Sequence, residues 1–168
     1  TKSMLAVWRE WGLDIILKCA YESGTIMSGV SAGAICWFEK GITDSWANSL
    51  NVLECLGYTK GNCCPHYDEE PERKPSLSNF ILKKEINDCY AIDGGCALHL
   101  KNDRVFRAIS FKDGKNSFLV EKEKTMFILA QSFFLITKLN LSPHITSPGL
   151  VVTINSSEVT TFQSSSFA

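Results

Sequence analysis

The sequence predicts an α/β fold in which a doubly wound, mostly parallel sheet carries an antiparallel β-hairpin extension. Short apolar runs typical of buried strands alternate with helical patterns in the first half of the chain. A later stretch has strand-like runs separated by tight turns, which favours antiparallel pairing. The chain has 168 residues, of which 45% are hydrophobic, and this suffices for one domain with a substantial core.

The first elements follow from apolar spacing and glycine positions. Residues 3–22 have helical spacing interrupted near Gly12, which predicts one bent helix or two short ones, with Gly24 just after the last turn. A short buried strand is predicted at 25–28. A helix is predicted to begin at Ala34 and to end at Gly41.

The later elements are predicted from turn residues and apolar runs. In chain order they are a strand at 53–58, a loop at 63–74, a helix from Pro75 capped by Ser76 or Ser78, a strand at 89–92, a hairpin of 97–100 and 105–111, and a strand at 117–120.

The end of the chain differs in composition. From residue 125 onward the only charged side chains are Lys138 and Glu158, and residues 152–168 are rich in serine and threonine. The apolar run at 126–139 is too short and too interrupted for a membrane span. We therefore divide the chain into an α/β domain at 1–121 and a divergent tail at 122–168 of unknown role.

Charge and cysteine content exclude some classes of function. The formal net charge of −1 gives no electrostatic case for binding nucleic acid or an anionic membrane. Seven cysteines lack the spacing of a disulfide framework, and the start of the chain does not resemble a signal peptide, so a reducing, cytoplasmic compartment is predicted. Cys63, Cys64 and His66 are too tightly spaced for a zinc site.

The strongest motif is the run Gly29-Val30-Ser31-Ala32-Gly33, a G-x-S-x-G pattern between a predicted strand and a predicted helix. A serine at such a sharp turn has an exposed hydroxyl, and the glycines permit close backbone approach. The free N–H groups at the helix start favour a developing oxyanion. The alternative is an ordinary glycine-rich turn with a spare serine, but the strand–turn–helix context favours a nucleophile.

Two further residues have the chemistry that a nucleophilic serine requires. His66 follows Pro65 in a predicted loop, where functional side chains concentrate, although an ordinary surface histidine is the alternative. Asp93 ends the strand predicted at 89–92, at the sheet edge where ligands bind in parallel sheets.

Three segments together resemble the peptidase E family of serine peptidases, nearest its bacterial peptidase E-like branch, over residues 1–121. They are Gly29-Val30-Ser31-Ala32-Gly33-Ala34-Ile35-Cys36-Trp37-Phe38, Cys64-Pro65-His66-Tyr67-Asp68 and Tyr90-Ala91-Ile92-Asp93. The resemblance implies a fold similar to class I glutamine amidotransferases, which is flavodoxin-like, and hydrolysis of short peptides such as N-terminal aspartyl dipeptides. It implies that Ser31 is the nucleophile, His66 the general base and the Ala32 N–H an oxyanion donor.

The resemblance leaves the third catalytic residue open. The family places an acid at the position that Gly94 fills here, and Asp93 lies one residue earlier, while Asp44 matches a second acidic position. We predict Asp93, because a residue ending a strand is held more rigidly than one in a loop. Asp44 is the alternative if strand alternation turns Asp93 away. Lys40 lies near a family position that contacts the acidic group of the substrate.

The resemblance also implies a small peptide substrate, a monomer or homodimer, and chemistry that needs no metal or organic cofactor, nucleic acid or membrane. The family has a Gly-Gly-Gly-Asn run before the segment that starts at Thr1, so the chain is expected to be a truncated member. An inactive remnant and a cyanophycinase-like hydrolase are the alternatives. His99 and His144 are expected to be bystanders.

Overall fold

The computed structural model describes residues 1–122 and, beyond them, the strand backbone at 124–128, 130–132 and 150–154. The described helices are α1 (Lys2–Glu10), α2 (Leu13–Glu22), α3 (Ala32–Ile35) and α4 (Arg73–Leu82). The described strands are β1 (Met27–Val30), β2 (Lys40–Thr43), β3 (Asn51–Glu54), β4 (Asn62–Cys64), β5 (Asp88–Ile92), β6 (Cys96–Lys101), β7 (Arg104–Ser110), β8 (Ser117–Glu121), β9 (Lys124–Ile128), β10 (Ala130–Ser132) and β11 (Leu150–Ile154).

The described strands form two mixed sheets, in the orders β1-β11-β6-β7-β10 and β3-β2-β4-β5-β8-β9. The α/β class is confirmed, because parallel pairs such as β2–β4 and β4–β5 are combined with helices. The described strands do not form a single, mostly parallel sheet, because only four of their nine pairings are parallel. Several consecutive strands are joined by short turns, and a short turn permits only antiparallel pairing.

The hairpin extension is confirmed as β6 and β7, which pair antiparallel. Asn102 and Asp103 form its turn with φ values of 51° and 60°. Two consecutive positive φ values match the twist of hairpin strands, and Asn and Asp tolerate them best among residues with a side chain.

The N-terminal helical region is confirmed as two short helices. Gly12 separates α1 from α2 with a φ of 67°, a left-handed conformation that suits glycine. The buried inner faces of both helices pack on an aromatic cluster that includes Trp37 and Tyr58.

Several boundaries differ from the sequence predictions, among them those of α3 and α4. The helix after the glycine-bracketed turn ends at Ile35, and Gly41 lies in strand β2, where a Cβ would stand 2.8 Å from the Ile35 Cβ. Helix α4 begins at Arg73 after an N-cap at Glu72, without a serine cap. Arg73 itself is buried, and its guanidinium is compensated by donating to the Ile42 carbonyl and to the Glu70 carboxylate.

The segment predicted to be a loop from Cys63 onward begins inside strand β4. This strand has three residues and lies between β2 and β5 in the sheet. Its formation depends on partners far away in sequence, so local propensity alone does not predict it.

The core that supports the turn around Ser31 lies between α3 and strands β4 to β7. Its buried side chains include Ile35, Phe38, Ile92 and Leu98. Because α3 contributes Ala34 and Ile35 to this cluster, core packing holds the turn just before α3 in place.

Three strands come from the predicted tail and pair with strands of residues 1–121. Strand β9 joins β8, β10 joins β7, and β11 lies between β1 and β6. His144, the rest of the apolar run beyond residue 132 and the serine-rich end beyond residue 154 lie outside the described residues. In the part of the chain that is described, no helix has the length and apolar character needed to cross a bilayer.

Candidate active site

Ser31 occupies a strained turn between strand β1 and helix α3, with a φ of 54° and a ψ of −116°. A side-chain-bearing residue in a sparsely populated backbone conformation costs about 1–3 kcal/mol, and such residues cluster at functional sites. A Cβ on Gly29 would stand 2.0 Å from the Gly33 carbonyl oxygen, so glycine is required there. A Cβ on Gly33 would meet nothing within 4 Å, so close approach explains only the first glycine.

His66 reaches Ser31 from the loop that follows β4. Its φ of 55° is also positive, and its carbonyl accepts the N–H groups of Glu69 and Glu70 in a tight turn. The next N–H, from Tyr67, donates to the Ile92 carbonyl at 3.0 Å and ties the loop to the end of β5. In this position the imidazole Nε2 lies 3.0 Å from the Ser31 Oγ.

Glu69 contacts the other nitrogen of the same ring. Its Oε2 lies 2.8 Å from the His66 Nδ1. A proton on Nδ1 donates to this carboxylate and leaves Nε2 free to accept the proton of the Ser31 hydroxyl. The His66 side chain is 14% exposed and the Glu69 side chain 39% exposed, so the line of three groups runs from the turn toward solvent.

The structure does not bring Asp93 or Asp44 to His66. The Asp93 Oδ2 accepts the backbone N–H of Asn116 at 3.0 Å, and the backbone groups of the same two residues are joined as well. Asp44 is exposed just beyond the end of β2. These contacts do not support the predicted role of Asp93, because its carboxylate is held by the loop before β8 while Glu69 contacts Nδ1.

Glu69 is not among the residues predicted from the sequence, although a signal for its contact with His66 was present. Glu69 lies three residues after His66, and a tight turn brings residues at this spacing together. The sequence pattern predicts only that Glu69 lies in the loop at 63–74.

Burial changes the electrostatics of Asp93. One of its carboxylate oxygens is buried and has no hydrogen-bond partner among the described residues. This burial raises the pKa of Asp93 above its ordinary value, and the Asn116 N–H only partly offsets the effect.

Lys40 makes its contacts away from this site. Its Nζ lies 3.2 Å from Glu54 Oε1 and donates to the Glu85 carbonyl at 3.1 Å. These residues line a cavity of about 490 Å³ that includes neither Ser31 nor His66. The predicted contact of Lys40 with an acidic substrate therefore has no support from its position.

The two remaining predicted residues have simple placements. Ala32 is the first residue of α3, where a backbone N–H has no partner within the helix and can receive an oxyanion. His99 lies on β6 with its ring edge against Phe106, the ring centroids being 5.0 Å apart.

A hydroxyl, an imidazole and a carboxylate in one hydrogen-bonded line, with the hydroxyl on a strand-to-helix turn, form the arrangement that serine hydrolases use. The comparison with known families agrees with this class. The model of peptidase family S51 matches residues 1–108, and the chain belongs to that family. The resemblance predicted from three sequence motifs is thereby confirmed.

A relative supports the same assignment. The chain is 46% identical over 120 residues to the protein named "Uncharacterized peptidase YgaJ" of Bacillus subtilis (strain 168). The matched region covers 71% of this chain and 52% of that relative, so the chain spans about half the length of the relative.

Proposed function

We propose that this chain is a serine peptidase that hydrolyses short peptides through an acyl-enzyme on Ser31. The observation that carries the proposal is the pair of hydrogen-bond distances at His66: 3.0 Å from Nε2 to the Ser31 Oγ and 2.8 Å from Nδ1 to Glu69. Membership of peptidase family S51 supports a peptide as the substrate.

The proposed reaction has two halves. His66 Nε2 takes the hydroxyl proton as the Ser31 Oγ attacks the peptide carbonyl carbon, and the same proton then goes to the leaving amine. The Ala32 N–H stabilises the oxyanion of the tetrahedral intermediate. In the second half, water loses a proton to His66 and attacks the acyl carbon. The bond from that carbon to the Ser31 Oγ then breaks, His66 returns its proton to Oγ, and the carboxylic acid is released.

In this proposal Glu69 is the acid that orients His66. Its carboxylate fixes the Nδ1–H tautomer and stabilises the imidazolium that forms during each half-reaction. Asp93 then has a structural role between β5 and the loop before β8, because its hydrogen bonds go to Asn116.

The finer family properties belong to the same proposal. A preference for N-terminal aspartyl dipeptides and a fold similar to class I glutamine amidotransferases come from the sequence resemblance. The parallel order β2-β4-β5 and the strand-to-helix turn at Ser31 support the fold.

A fluorophosphonate probe tests the nucleophile. We expect the probe to label Ser31 in the native chain and not in the denatured chain, and we expect labelling to be lost in Ser31→Ala and strongly reduced in His66→Ala. Ser28→Ala is the matched control, since Ser28 is exposed on β1 three residues earlier. Labelling that survives Ser31→Ala, or a folded native chain that takes no label, contradicts the proposal.

A dipeptide panel tests the substrate class. We expect hydrolysis of Asp-X dipeptides to exceed that of Asn-X and Ala-X dipeptides of the same X residue. Equal rates across the panel contradict the aspartyl preference and leave the serine mechanism intact.

A further inference from the structure

The position of the Glu69 carboxylate depends on the absence of a side chain at Gly94. A Cβ added at Gly94 would stand 2.1 Å from the Glu69 Oε1 and 2.2 Å from its Cδ. The carboxylate that meets His66 therefore fills the space that any other residue at position 94 would take.

Backbone conformation does not explain this glycine. Gly95, its neighbour, has a φ of 82° and requires glycine for that reason, whereas the φ of Gly94 lies outside the left-handed region. An alanine at position 94 is thus compatible with the backbone. Its main conflict is with the far end of one flexible side chain, that of Glu69.

The residues just before Glu69 are held against the same strand end. The Gly94 N–H donates to the Asp68 Oδ1 at 2.8 Å, and the other oxygen of Asp68 is paired with Lys115. The Tyr67 N–H donates to the Ile92 carbonyl. These contacts place the start of the Glu69 side chain beside Gly94, so that its carboxylate lies over the bare backbone and next to His66 Nδ1.

We propose that Gly94 is a positioning residue for catalysis: the missing side chain at the end of β5 is what allows Glu69 to reach His66. Gly94 touches neither substrate nor the reacting atoms and acts only through Glu69. The proposal rests on the proposed function, in which Glu69 orients the catalytic histidine.

Gly94→Ala is the direct test. We expect kcat to fall by a factor on the order of 10²–10⁴, the range that follows when the orienting acid of a serine triad is compromised. KM and the unfolding temperature should change little, because the displaced group is a side-chain end facing solvent. Gly114→Ala is the control for kcat, because its added Cβ meets nothing within 4 Å and kcat should be retained. Its φ of 72° strains an alanine there, so this control should lower the unfolding temperature without lowering kcat.

A double-mutant cycle separates this role from a general structural one. If Gly94 acts only through Glu69, Gly94→Ala should cause no further loss of kcat in a Glu69→Ala background. Glu69→Ala/Gly94→Asp should recover part of the lost kcat, since it supplies a carboxylate from position 94. A full additional loss on adding Gly94→Ala to Glu69→Ala overturns the proposal, even if Gly94→Ala alone folds poorly.

The hydrogen bond itself can be followed by proton NMR. The downfield resonance of the His66 Nδ1 proton should be lost in Gly94→Ala and retained in Gly114→Ala. Full activity of Gly94→Ala overturns the positioning role while the serine mechanism stands. Full activity of Ser31→Ala or His66→Ala instead contradicts the proposed function itself.

Discussion

Ser31 and His66 each have a side chain on a backbone with positive φ, at 54° and 55°. Such residues carry a conformational cost that the surrounding structure has to maintain. Here α3 anchors the turn of Ser31 in the core, and the Tyr67 N–H anchors the turn of His66 to β5. The strain is located where the two side chains meet.

Replacing the orienting acid should separate Glu69 from Asp93. Glu69→Gln removes the charge that stabilises the imidazolium while preserving size, so we expect kcat to fall by a factor on the order of 10²–10⁴. Asp93→Asn should retain most of its kcat, because Asp93 contacts Asn116 and not His66. Steady-state kinetics of both variants check this, and a larger loss in Asp93→Asn would restore the sequence prediction.

The pH dependence of stability should report on Asp68. Burial acts to raise the pKa of Asp68, but the Lys115 ammonium and the Gly94 N–H outweigh it and hold the pKa below its ordinary value. The resulting stability is fully present above the unfolded pKa of about 3.9 and is lost as pH falls through the lower folded value.

Asp68→Asn should therefore be less stable than the native chain at pH 7, and the difference should shrink as the pH falls below about 4. Urea unfolding at each pH measures it. Asp113→Asn is the control, since Asp113 is an exposed aspartate in the loop that holds Lys115. A difference that stays constant on acidification contradicts the role of the ion pair.

The cysteines should differ sharply in reactivity. Burial raises the pKa of Cys36 and Cys55 to about 12 and of Cys64 and Cys96 to about 11. Burial also raises the pKa of Cys63 and Cys89 well above the ordinary value. Cys19 is exposed. Because the thiolate is the reactive form, a disulfide reagent at pH 8 should modify Cys19 in the native chain and all seven thiols after denaturation. Rapid native labelling of Cys63 or Cys64 would show that β4 is less protected than described.

At the scale of elements, the two glycines of the turn should respond differently to alanine. Gly29→Ala forces a Cβ against the Gly33 carbonyl and should lower the free energy of unfolding by about 1–3 kcal/mol or more. Gly33→Ala has open space and lies in a helix, so its effect should be neutral or stabilising by up to about 1 kcal/mol. Urea midpoints compare the two, and equal losses would refute the geometric distinction.

Elements with a strong local pattern were predictable from the sequence. The hairpin β6–β7 has Asn102-Asp103 at its turn, and the two N-terminal helices are divided at Gly12. Strand β4 and the early end of α3 were not, because both depend on packing against distant residues such as those of β2 and β5. Local propensity gives way where tertiary contacts decide the conformation.

At the scale of the whole molecule, the residues of the candidate site also differ in how far the sequence predicts their positions. Ser31 and His66 were singled out from motifs, and the structure brings their side chains together, while their catalytic roles stay predictions. The contact of Glu69 with His66 was not predictable, since which of several carboxylates reaches Nδ1 depends on how the loop after β4 packs on the end of β5. The division at residue 121 stays a prediction, although β9, β10 and β11 pair with strands on its other side.

The pairing of β1 with β11 has a consequence for the timing of activity during synthesis. The strand that leads into Ser31 is bordered by residues 150–154, with Met27 opposite Thr153, so this pairing closes a very long loop. A ribosome that has made His66 and Glu69 still holds a chain whose nucleophile strand lacks that neighbour. Ribosome-stalled chains ending before residue 150 should not react with a fluorophosphonate, whereas released chains that include residues 150–154 should. Equal labelling of both would show that the turn around Ser31 forms without β11.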